Sequence, residues 1–227
     1  MIAITKHRKD WRNHFFYRKE VWKTTWKFKL AVLALIFITL TTTAEIWDAP
    51  LAQSLICDQT SNPSDALLLE NFDPDYLVFE QAETLRRAGV ASRFLVPMIG
   101  VRKEDLPNSY QLDTARAMAR VAHLPNIEPV AVPNHDEPIS LNAAKQIRDF
   151  LVQEKIGSII VVAPGFRSRR SELIYKTVFT PSGIRVGCVP TKSQMTPETW
   201  INTWHGIQEF TEQFGKLQYY RLYAIRQ

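Results

Sequence analysis

Cysteine and glycine are both scarce in this chain, and their scarcity excludes several kinds of protein. Two cysteines in 227 residues are too few for a disulfide-rich miniprotein or for a zinc module built on four thiolates. Eight glycines, with no Gly-rich or Pro-rich run, exclude collagen-like and flexible-linker architectures. Hydrophobic residues nevertheless make up 45% of the chain, so it can form an ordinary globular core.

The best-marked catalytic motifs are missing as well. The sequence contains no HExxH, GxSxG, P-loop or GxGxxG pattern. Its five histidines do not have the spacing of metal ligands, so no metal site is predicted and no cofactor is indicated. The motifs therefore do not decide whether the protein is an enzyme.

Positive charge is unevenly distributed. Residues 1–29 hold nine of the 28 Lys and Arg residues and two of the 23 acids, whereas the rest of the chain has a net charge of −2. We interpret residues 1–29 as a basic cytoplasmic tail that faces anionic lipid head groups. The high isoelectric point belongs to this tail and does not indicate a nucleic-acid-binding domain.

An apolar segment follows the tail. Leu30–Leu40 reads LAVLALIFITL, and about 20 residues, the length that crosses a bilayer, separate Phe28 from Trp47. The segment predicts a transmembrane signal anchor at residues 30–47, with the N-terminus cytoplasmic and the remainder on the outer side of the plasma (inner) membrane. A cleaved signal peptide and a buried core helix are the alternatives, and the sequence does not decide whether cleavage follows Ala44.

The remainder reads as a linker at residues 48–64 and an α/β domain at residues 65–227. Short apolar runs predict strands, and stretches with apolar spacing of three and four predict helices between them. The predicted strands are Ala66–Leu69, Ser92–Met98, Glu128–Val132, Ser158–Ala163 and Arg185–Val189. The predicted helices are Asp75–Ala88, Leu112–Ala122, Ser140–Lys155, Ser168–Phe179 and Thr199–Tyr223. This alternation predicts a Rossmann-like, mostly parallel sheet with helices on both faces, preceded by one N-terminal transmembrane helix.

Ligands of such sheets bind outside the carboxyl ends of the strands, which directs attention to the loop after Ser158–Ala163. This loop places Arg167, Ser168, Arg169 and Arg170 at the start of a helix, where backbone N–H groups and guanidinium groups suit phosphate or carboxylate. Residues 168 to 170 spread over roughly 200° of the helix, so at most two of the arginines can face one pocket. The alternative is that the arginines pair with acids of neighbouring loops, such as Glu70 and Asp73, or face solvent.

Acidic and amide side chains follow two other strands. Glu70 and Asn71 come directly after the first strand, and Asp136 and Glu137 precede the helix that begins near Ser140. Glu137, Asp136 and Glu70 are the candidate general bases. For Asp136 and Glu137, capping of the helix dipole is the competing interpretation.

The two cysteines and the last helix allow weaker statements. Cys57 and Cys188 would face an oxidising compartment, but one lies in the predicted linker and the other in a strand, so a bridge is not the favoured interpretation. The aromatic stripe of the last helix, which includes Trp204 and Phe214, is interpreted as core.

Three segments resemble those of a known family. Ser64–Leu69 (SDALLL) is similar to its opening "DAIVVLGG" strand, and Glu137–Ala143 (EPISLNA) is similar to its "E-x-x-S/T-x-x-N-A" helix start. Val161–Ser171 (VVAPGFRSRRS) is similar to its strand followed by "S-x-x-H-x-x-R-A". With the closing aromatic helix, the chain over Asp65–Tyr223 resembles the YdcF-like or ElyC–SanA envelope family (domain of unknown function 218).

The resemblance implies a Rossmann-like fold behind a membrane anchor and a part in cell-envelope or surface-polysaccharide biogenesis. It places Arg170, Asn142 and Glu137 at the family's Arg, Asn and acid. Two departures stand out: Glu70-Asn71 replaces the family's Gly-Gly, and Arg167 replaces its His. A permanent cation cannot act as an acid or base near neutral pH, so the second change favours anion binding over hydrolysis.

Three hypotheses for the function follow. In the first, the outer domain binds an anionic envelope intermediate, such as a lipid-linked phosphosugar. Its candidate ligand-binding residues are Arg167, Ser168, Arg170, Asn142, Ser140 and Asn71. In the second, the protein is a phosphoester or glycan-precursor hydrolase or transferase. In the third, it is a scaffold for proteins of envelope assembly.

Overall fold

The structure is a computed structural model that describes residues 25–60, 62–133, 136–192 and 195–226. Most of the basic tail predicted at residues 1–29 lies outside these residues. The chain divides into two compact units, with the boundary between Ala44 and Glu45.

The first unit contains helix α1, Trp26–Thr42, which Thr25 caps by accepting a hydrogen bond from the Phe28 N–H. Apolar side chains are exposed on every side of α1, among them Leu33, Leu35, Ile36 and Phe37. No helix within the described residues is both long enough and apolar enough to cross a membrane. The anchor at residues 30–47 thus stays a prediction. Thr43 interrupts that range, because α1 ends before it and helix α2, Ala44–Gln53, begins after it.

The second unit is built on a five-stranded sheet in which all strands are parallel. The strands are β1 (Ala66–Leu69), β2 (Arg93–Ile99), β3 (Glu128–Val132), β4 (Ser158–Ala163) and β5 (Arg185–Pro190), in the order β3-β2-β1-β4-β5. Strands β1 and β4 are buried along their whole length, which explains why both read as continuous apolar runs. The predicted α/β fold with a parallel sheet is confirmed.

Helices cover both faces of the sheet. Helices α3 (Tyr76–Arg87) and α4 (Tyr110–Val121) pack on one face. Helices α5 (Ile139–Gln153), α6 (Ser168–Phe179) and the end of α7 (Trp204–Leu222) pack on the other. The chain leaves β1 in one direction to form β2 and β3 and returns to form β4 and β5, so the strand order reverses between β1 and β4. This is the place where such folds open a crevice for a ligand.

The segment predicted as a linker, residues 48–64, is in large part a piece of the domain. Helix α2 extends to Gln53, and Ala52 and Leu55 are buried against Phe166, Trp200 and Phe210 in a small separate core. Pro50 and Pro63 favour a linker, but the apolar residues Leu51, Ala52 and Leu55, spaced by three and four, give the segment a buried side.

A disulfide joins Cys57 to Cys188, across a sequence separation of 131 residues. It fixes the segment after α2 along β5, where the Thr60 N–H donates to the Cys188 carbonyl at 2.9 Å. The sequence interpretation disfavoured this bridge, since it treated Cys57 as part of a free linker. The burial of Leu55 brings the neighbouring Cys57 to the sheet.

Candidate functional site

Two loops follow the neighbouring strands β1 and β4 at the strand-order reversal, where folds of this kind bind ligands. The loop after β1 begins with Glu70, and the loop after β4 is a short turn, Gly165–Arg167, that leads directly into α6. The structure therefore brings Glu70 and the arginine loop, predicted separately from sequence, to the same edge of neighbouring strands.

Arg167 bridges the two loops. Its Nη2 donates to Asp73 Oδ2 at 2.7 Å, while its buried Nε has no hydrogen-bond partner. Burial opposes the charge of this guanidinium, but the carboxylates of Glu70, Asp73 and Glu209 outweigh it, so the pKa of Arg167 is raised. Arg167 is thus a permanent cation that already carries one carboxylate, as the alternative interpretation from sequence expected.

Arg170 is the unusual member of the site. It is 7% exposed, and its guanidinium lies over the Tyr220 ring, with Cζ 5.7 Å from the ring centroid. Among the described residues the guanidinium makes no ion pair and no hydrogen bond, and its Nε is buried. The tyrosine ring compensates the charge only in part, since cation–π contacts contribute about 0.5–2 kcal/mol and burying an unpaired ion costs several.

Glu70 is buried directly after β1. Its carboxylate accepts a short hydrogen bond from the Ser171 hydroxyl, and its N–H donates to the Val162 carbonyl of β4 at 2.9 Å. Ser171 Oγ also lies 3.2 Å from the Arg167 carbonyl. These bonds tie the end of β1 to the first turn of α6 and hold a carboxylate beside the arginines.

Tyr175 lies one helical turn below Ser171 and is fully buried, with a hydroxyl that lacks a partner. Burial raises the pKa of Tyr175 well above its ordinary value, and the Glu70 charge raises it further. The charges of Arg170 and Arg167 oppose that shift. Glu70, Arg167 and Arg170 therefore all lie within electrostatic range of this one buried hydroxyl.

Helix α7 supplies the outer wall of the cluster. Gln213 and Tyr220 are both buried and lie seven residues apart on one side of α7, and Gln213 Oε1 has no partner. Four of the five buried and unpaired side-chain atoms in the described part of the chain belong to this wall and to the α6 region, namely Arg167 Nε, Arg170 Nε, Tyr175 Oη and Gln213 Oε1. Buried polar atoms without hydrogen-bond partners are rare in protein cores. Their concentration here therefore indicates a candidate functional site.

Two acids of α7 lie within electrostatic range of the arginines, Glu209 of Arg167 and Glu212 of both Arg167 and Arg170. Burial raises the pKa of Glu209, although the charge of Arg167 acts in the opposite direction. The pKa of Glu212 is lowered, chiefly by its hydrogen bond from Lys216 and to a smaller extent by Arg167 and Arg170. The cluster is thus bordered by carboxylates on more than one side.

Arg169 and Ser168 point elsewhere. Arg169 pairs with Asp58 and Glu172, at 3.3 and 3.1 Å, which leaves Arg167 and Arg170 as the two arginines of the cluster, within the limit set by helix geometry. The prediction that Ser168 binds a ligand is wrong: its side chain is completely buried, accepts from the Cys57 N–H at 3.0 Å and donates to the Gly165 carbonyl at 2.6 Å. It fastens the disulfide-bearing segment to the arginine loop.

The backbone at the start of α6 is also occupied. The N–H of Ser168 donates to the Gly165 carbonyl, and the N–H of Arg169 donates to the Leu55 carbonyl at 3.0 Å. The Ser168 N–H is thus satisfied within the turn and the Arg169 N–H by a neighbouring segment, so neither of these two groups is free to receive an anion. Anion binding at this place has to rely on side chains.

The residues predicted at the start of α5 organise its first turn. Asn142 Nδ2 donates to the Asp136 carbonyl at 3.0 Å, and Glu137 Oε2 accepts from the Ile139 N–H at 3.4 Å. Ser140 is half-buried on the same turn. Glu137 is exposed and has the capping role that was the competing interpretation. Strand β3 lies two strands from β1, or about 10 Å, so this turn sits to one side of the arginine cluster.

Asn71 has a similar local role. Its Oδ1 accepts from the Asp75 N–H at 3.1 Å, and Asp75 in turn caps α3 by accepting from the Leu77 N–H at 2.9 Å. Asn71 therefore shapes the loop that carries Asp73. Within the described part of the chain its side chain makes no hydrogen bond to the arginines.

Four residues of the cluster were not predicted: Ser171, Tyr175, Gln213 and Tyr220. A helical spacing of four from Arg167 would have found Ser171 and Tyr175, since all three lie on one side of the helix. Nothing local could have identified Gln213 and Tyr220, because they reach the cluster through the long-range packing of α7.

A cleft of about 630 Å³ lies elsewhere, against α4, lined in part by Arg116, Arg120 and Asn126. Arg116 there is 3.8 Å from Asp113, and no buried, unpaired side-chain atom of the described residues lines the cleft. The cleft has room for a ligand, but the buried polar atoms without partners that indicate a binding site lie in the arginine cluster. No group of three or more His, Cys, Asp or Glu side chains in the described residues is arranged to hold a metal ion.

No family model matches the chain, and comparisons with curated proteins and with solved structures found no similar protein. The resemblance to the YdcF-like family accordingly rests on the three sequence segments. Of the residues it singles out, Arg170 lies in the cluster, while Asn142 and Glu137 shape the turn before α5.

Proposed function

We propose that the crevice between β1 and β4 binds an anionic, phosphate-bearing group of an envelope intermediate, with Arg170 as its main contact. The observation that carries the proposal is the buried guanidinium of Arg170, which has no ion pair or hydrogen bond among the described residues. A ligand anion would supply the missing partner. The planar guanidinium suits the paired oxygens of a phosphate or carboxylate.

Surrounding groups support the same proposal. Arg167 and the Tyr175 hydroxyl act on the same place, and both have buried polar atoms without partners. Glu70 and Ser171 fix the loop and helix that hold the arginines, so the site would be ordered before a ligand arrives.

We further propose that α1 and its neighbours anchor the chain in the inner membrane and that the α/β domain lies on the outer side. A helix that is apolar all round is suited to a lipid environment, and α1 exposes apolar side chains on every side. The Cys57–Cys188 disulfide supports an oxidising compartment for the domain. With the family resemblance, this location makes a part in envelope or surface-polysaccharide biogenesis the function we favour.

The test is a calorimetric titration of the full chain, in micelles of a neutral detergent, with phenyl phosphate and methyl phenyl phosphate. Arg170→Ala is expected to weaken binding by about 10- to 100-fold, because it removes charge-assisted hydrogen bonds. Arg169→Ala is the matched control. It removes the same charge from the same helical turn, but from a side chain that faces Asp58 and Glu172. Equal losses in the two variants would contradict the assignment of the site.

An enzyme remains the second candidate, on the observation that Glu70 is a buried carboxylate beside two arginines. In that mechanism Glu70 would act as general base and Arg170 would stabilise developing negative charge. The substitution of the family His by Arg167 speaks against it. Glu70→Gln separates the two candidates. Retained binding in the same titration, together with loss of the phosphoester turnover that a separate activity assay detects for the wild type, favours catalysis.

A further inference from the structure

The two arginines of the crevice differ in how much of their charge is free. Arg167 donates to Asp73 at 2.7 Å, and this ion pair neutralises it. Arg170 has no ion pair among the described residues. Arg170 is therefore the one of these two guanidinium groups to which no carboxylate of the described residues is bonded, so it is the group that a ligand anion can pair with.

The remaining groups around the arginines are acids. Glu70 lies beside Arg167 and is bound to a neutral hydroxyl, that of Ser171. From α7, Glu209 acts on Arg167, and Glu212, which is paired with Lys216, acts on both arginines. A second negative charge on the ligand would thus meet carboxylates instead of a second free cation.

We propose that the group bound at Arg170 is a singly charged phosphodiester and that Asp73 sets this preference over a terminal phosphomonoester. The inference rests on the proposed function and adds the class of ligand. A phosphomonoester carries a charge of about −1.5 to −2 at neutral pH, whereas a diester carries one charge. A diester also presents two unesterified oxygens, which match the paired donors of a single guanidinium.

Asp73 is suited to this role by its position. Its side chain is 80% exposed on the loop after β1, and its carboxylate occupies the Arg167 nitrogen that could otherwise hold a second ligand oxygen. Replacing it by Asn frees the charge of Arg167 without removing a buried group. The fold is expected to be unaffected, which equal melting temperatures of the two proteins would verify.

The experiment compares phenyl phosphate with methyl phenyl phosphate at pH 8, by calorimetry of the full chain in neutral detergent. The two probes share the phenyl ring and differ by one methyl group and one charge. Wild type is expected to bind the diester at least as tightly as the monoester. Asp73→Asn is expected to strengthen monoester binding by about fivefold or more, through the freed charge of Arg167, and diester binding by less than about twofold.

The outcomes separate the two proposals. A wild-type preference for the monoester of about fivefold or more, or an equal effect of Asp73→Asn on both probes, overturns the diester inference. If that binding still depends on Arg170, the proposed anion site stands. No saturable binding of either probe overturns both.

Discussion

At the scale of single residues, Asp65 illustrates how one carboxylate positions the central strands. Its Oδ2 accepts hydrogen bonds from the Gly157 N–H, the Ser158 N–H and the Ser158 hydroxyl, at 2.9, 2.8 and 2.9 Å. The pKa of Asp65 is lowered, chiefly by the hydrogen bond from the Ser158 hydroxyl. Burial opposes this shift, while the two N–H groups and the charge of Arg185 add to it. The residue thereby joins the starts of β1 and β4, whose other ends carry the site.

Replacing Asp65 by Ala is expected to lower the free energy of unfolding at pH 7 by about 1 to 2 kcal/mol, because three hydrogen bonds to a charged acceptor are lost. The pKa is lower in the folded state, so the carboxylate stabilises the fold above its ordinary pKa of 3.8 and loses this effect as the pH falls. Urea unfolding followed by tryptophan fluorescence should show the wild-type advantage shrinking between pH 5 and pH 3. A constant difference over that range would argue against an ionic role, and Asp65→Asn serves as the uncharged control.

Single residues also show where sequence reasoning succeeded. The outward direction of Arg169 follows from the angular spread of three consecutive helical positions, and the pair of Arg167 with Asp73 was one of the alternatives considered. The burial of Arg170 could not be predicted, because Tyr220, which covers it, lies 50 residues further along the chain. The role of Ser168 depends on Cys57, a contact between distant segments.

At the scale of elements, α7 departs most from its prediction. The apolar spacing predicted one helix over Thr199–Tyr223, whereas a short turn at Trp200–Asn202 precedes α7, which begins at Trp204. Thr203 is extended, and its side chain caps α7 by accepting from the Gly206 N–H at 3.0 Å. As a result Trp200 enters the core, while Trp204, interpreted as core, is 73% exposed.

The junction before α7 depends on Gly206. A Cβ there would overlap the Trp200 carbonyl oxygen, so Gly206→Ala is expected to destabilise the protein by about 1 to 3 kcal/mol. Gly215, on the same helix, has nothing within 4 Å of a Cβ. Gly215→Ala is accordingly expected to stabilise by about 0.5 to 1 kcal/mol through the higher helix propensity of alanine.

Thermal unfolding of both variants measures these changes. Opposite signs support the close approach at Gly206 as the cause. Stabilisation by both substitutions would show that the Trp200 turn moves aside without cost.

Elements with local signals were predicted well. The bounds of β1, β3, β4 and α6 agree with the structure, and the helix predicted over Asp75–Ala88 is present as α3, which ends next to Gly89, with φ +70°. Asp75, predicted as its first residue, lies just before it as its cap. The turn at Lys103–Asn108 was missed, because a 3₁₀ turn has no apolar period to reveal it. The order of the strands is set by pairing between distant segments and could not be read from the chain.

At the scale of the whole molecule, the proposed anchor and the disulfide make one joint prediction. In intact cells, Cys57 and Cys188 should resist alkylation by a maleimide after rapid acid quenching and should react only after reduction. Replacing Leu33 and Phe37 of α1 by Asp is expected to block membrane insertion and to leave both thiols reduced, because charges within an apolar span are costly.

The measurement is a gel-shift assay with a polyethylene-glycol maleimide, and replacing Leu33 and Phe37 by Ala provides the matched control. Reduced cysteines in the wild-type chain would contradict an outer location for the domain. Oxidised cysteines in the Asp variant would show that α1 is not what brings the domain there.

The position of the bridge also matters during synthesis. Cys57 precedes every strand of the sheet, and Cys188 lies in the last one, so translation at about 5 to 20 residues per second separates their appearance by on the order of 10 seconds. Throughout that interval the earlier thiol has no native counterpart within the chain. A chain that stops before β5 is complete therefore keeps Cys57 unpaired.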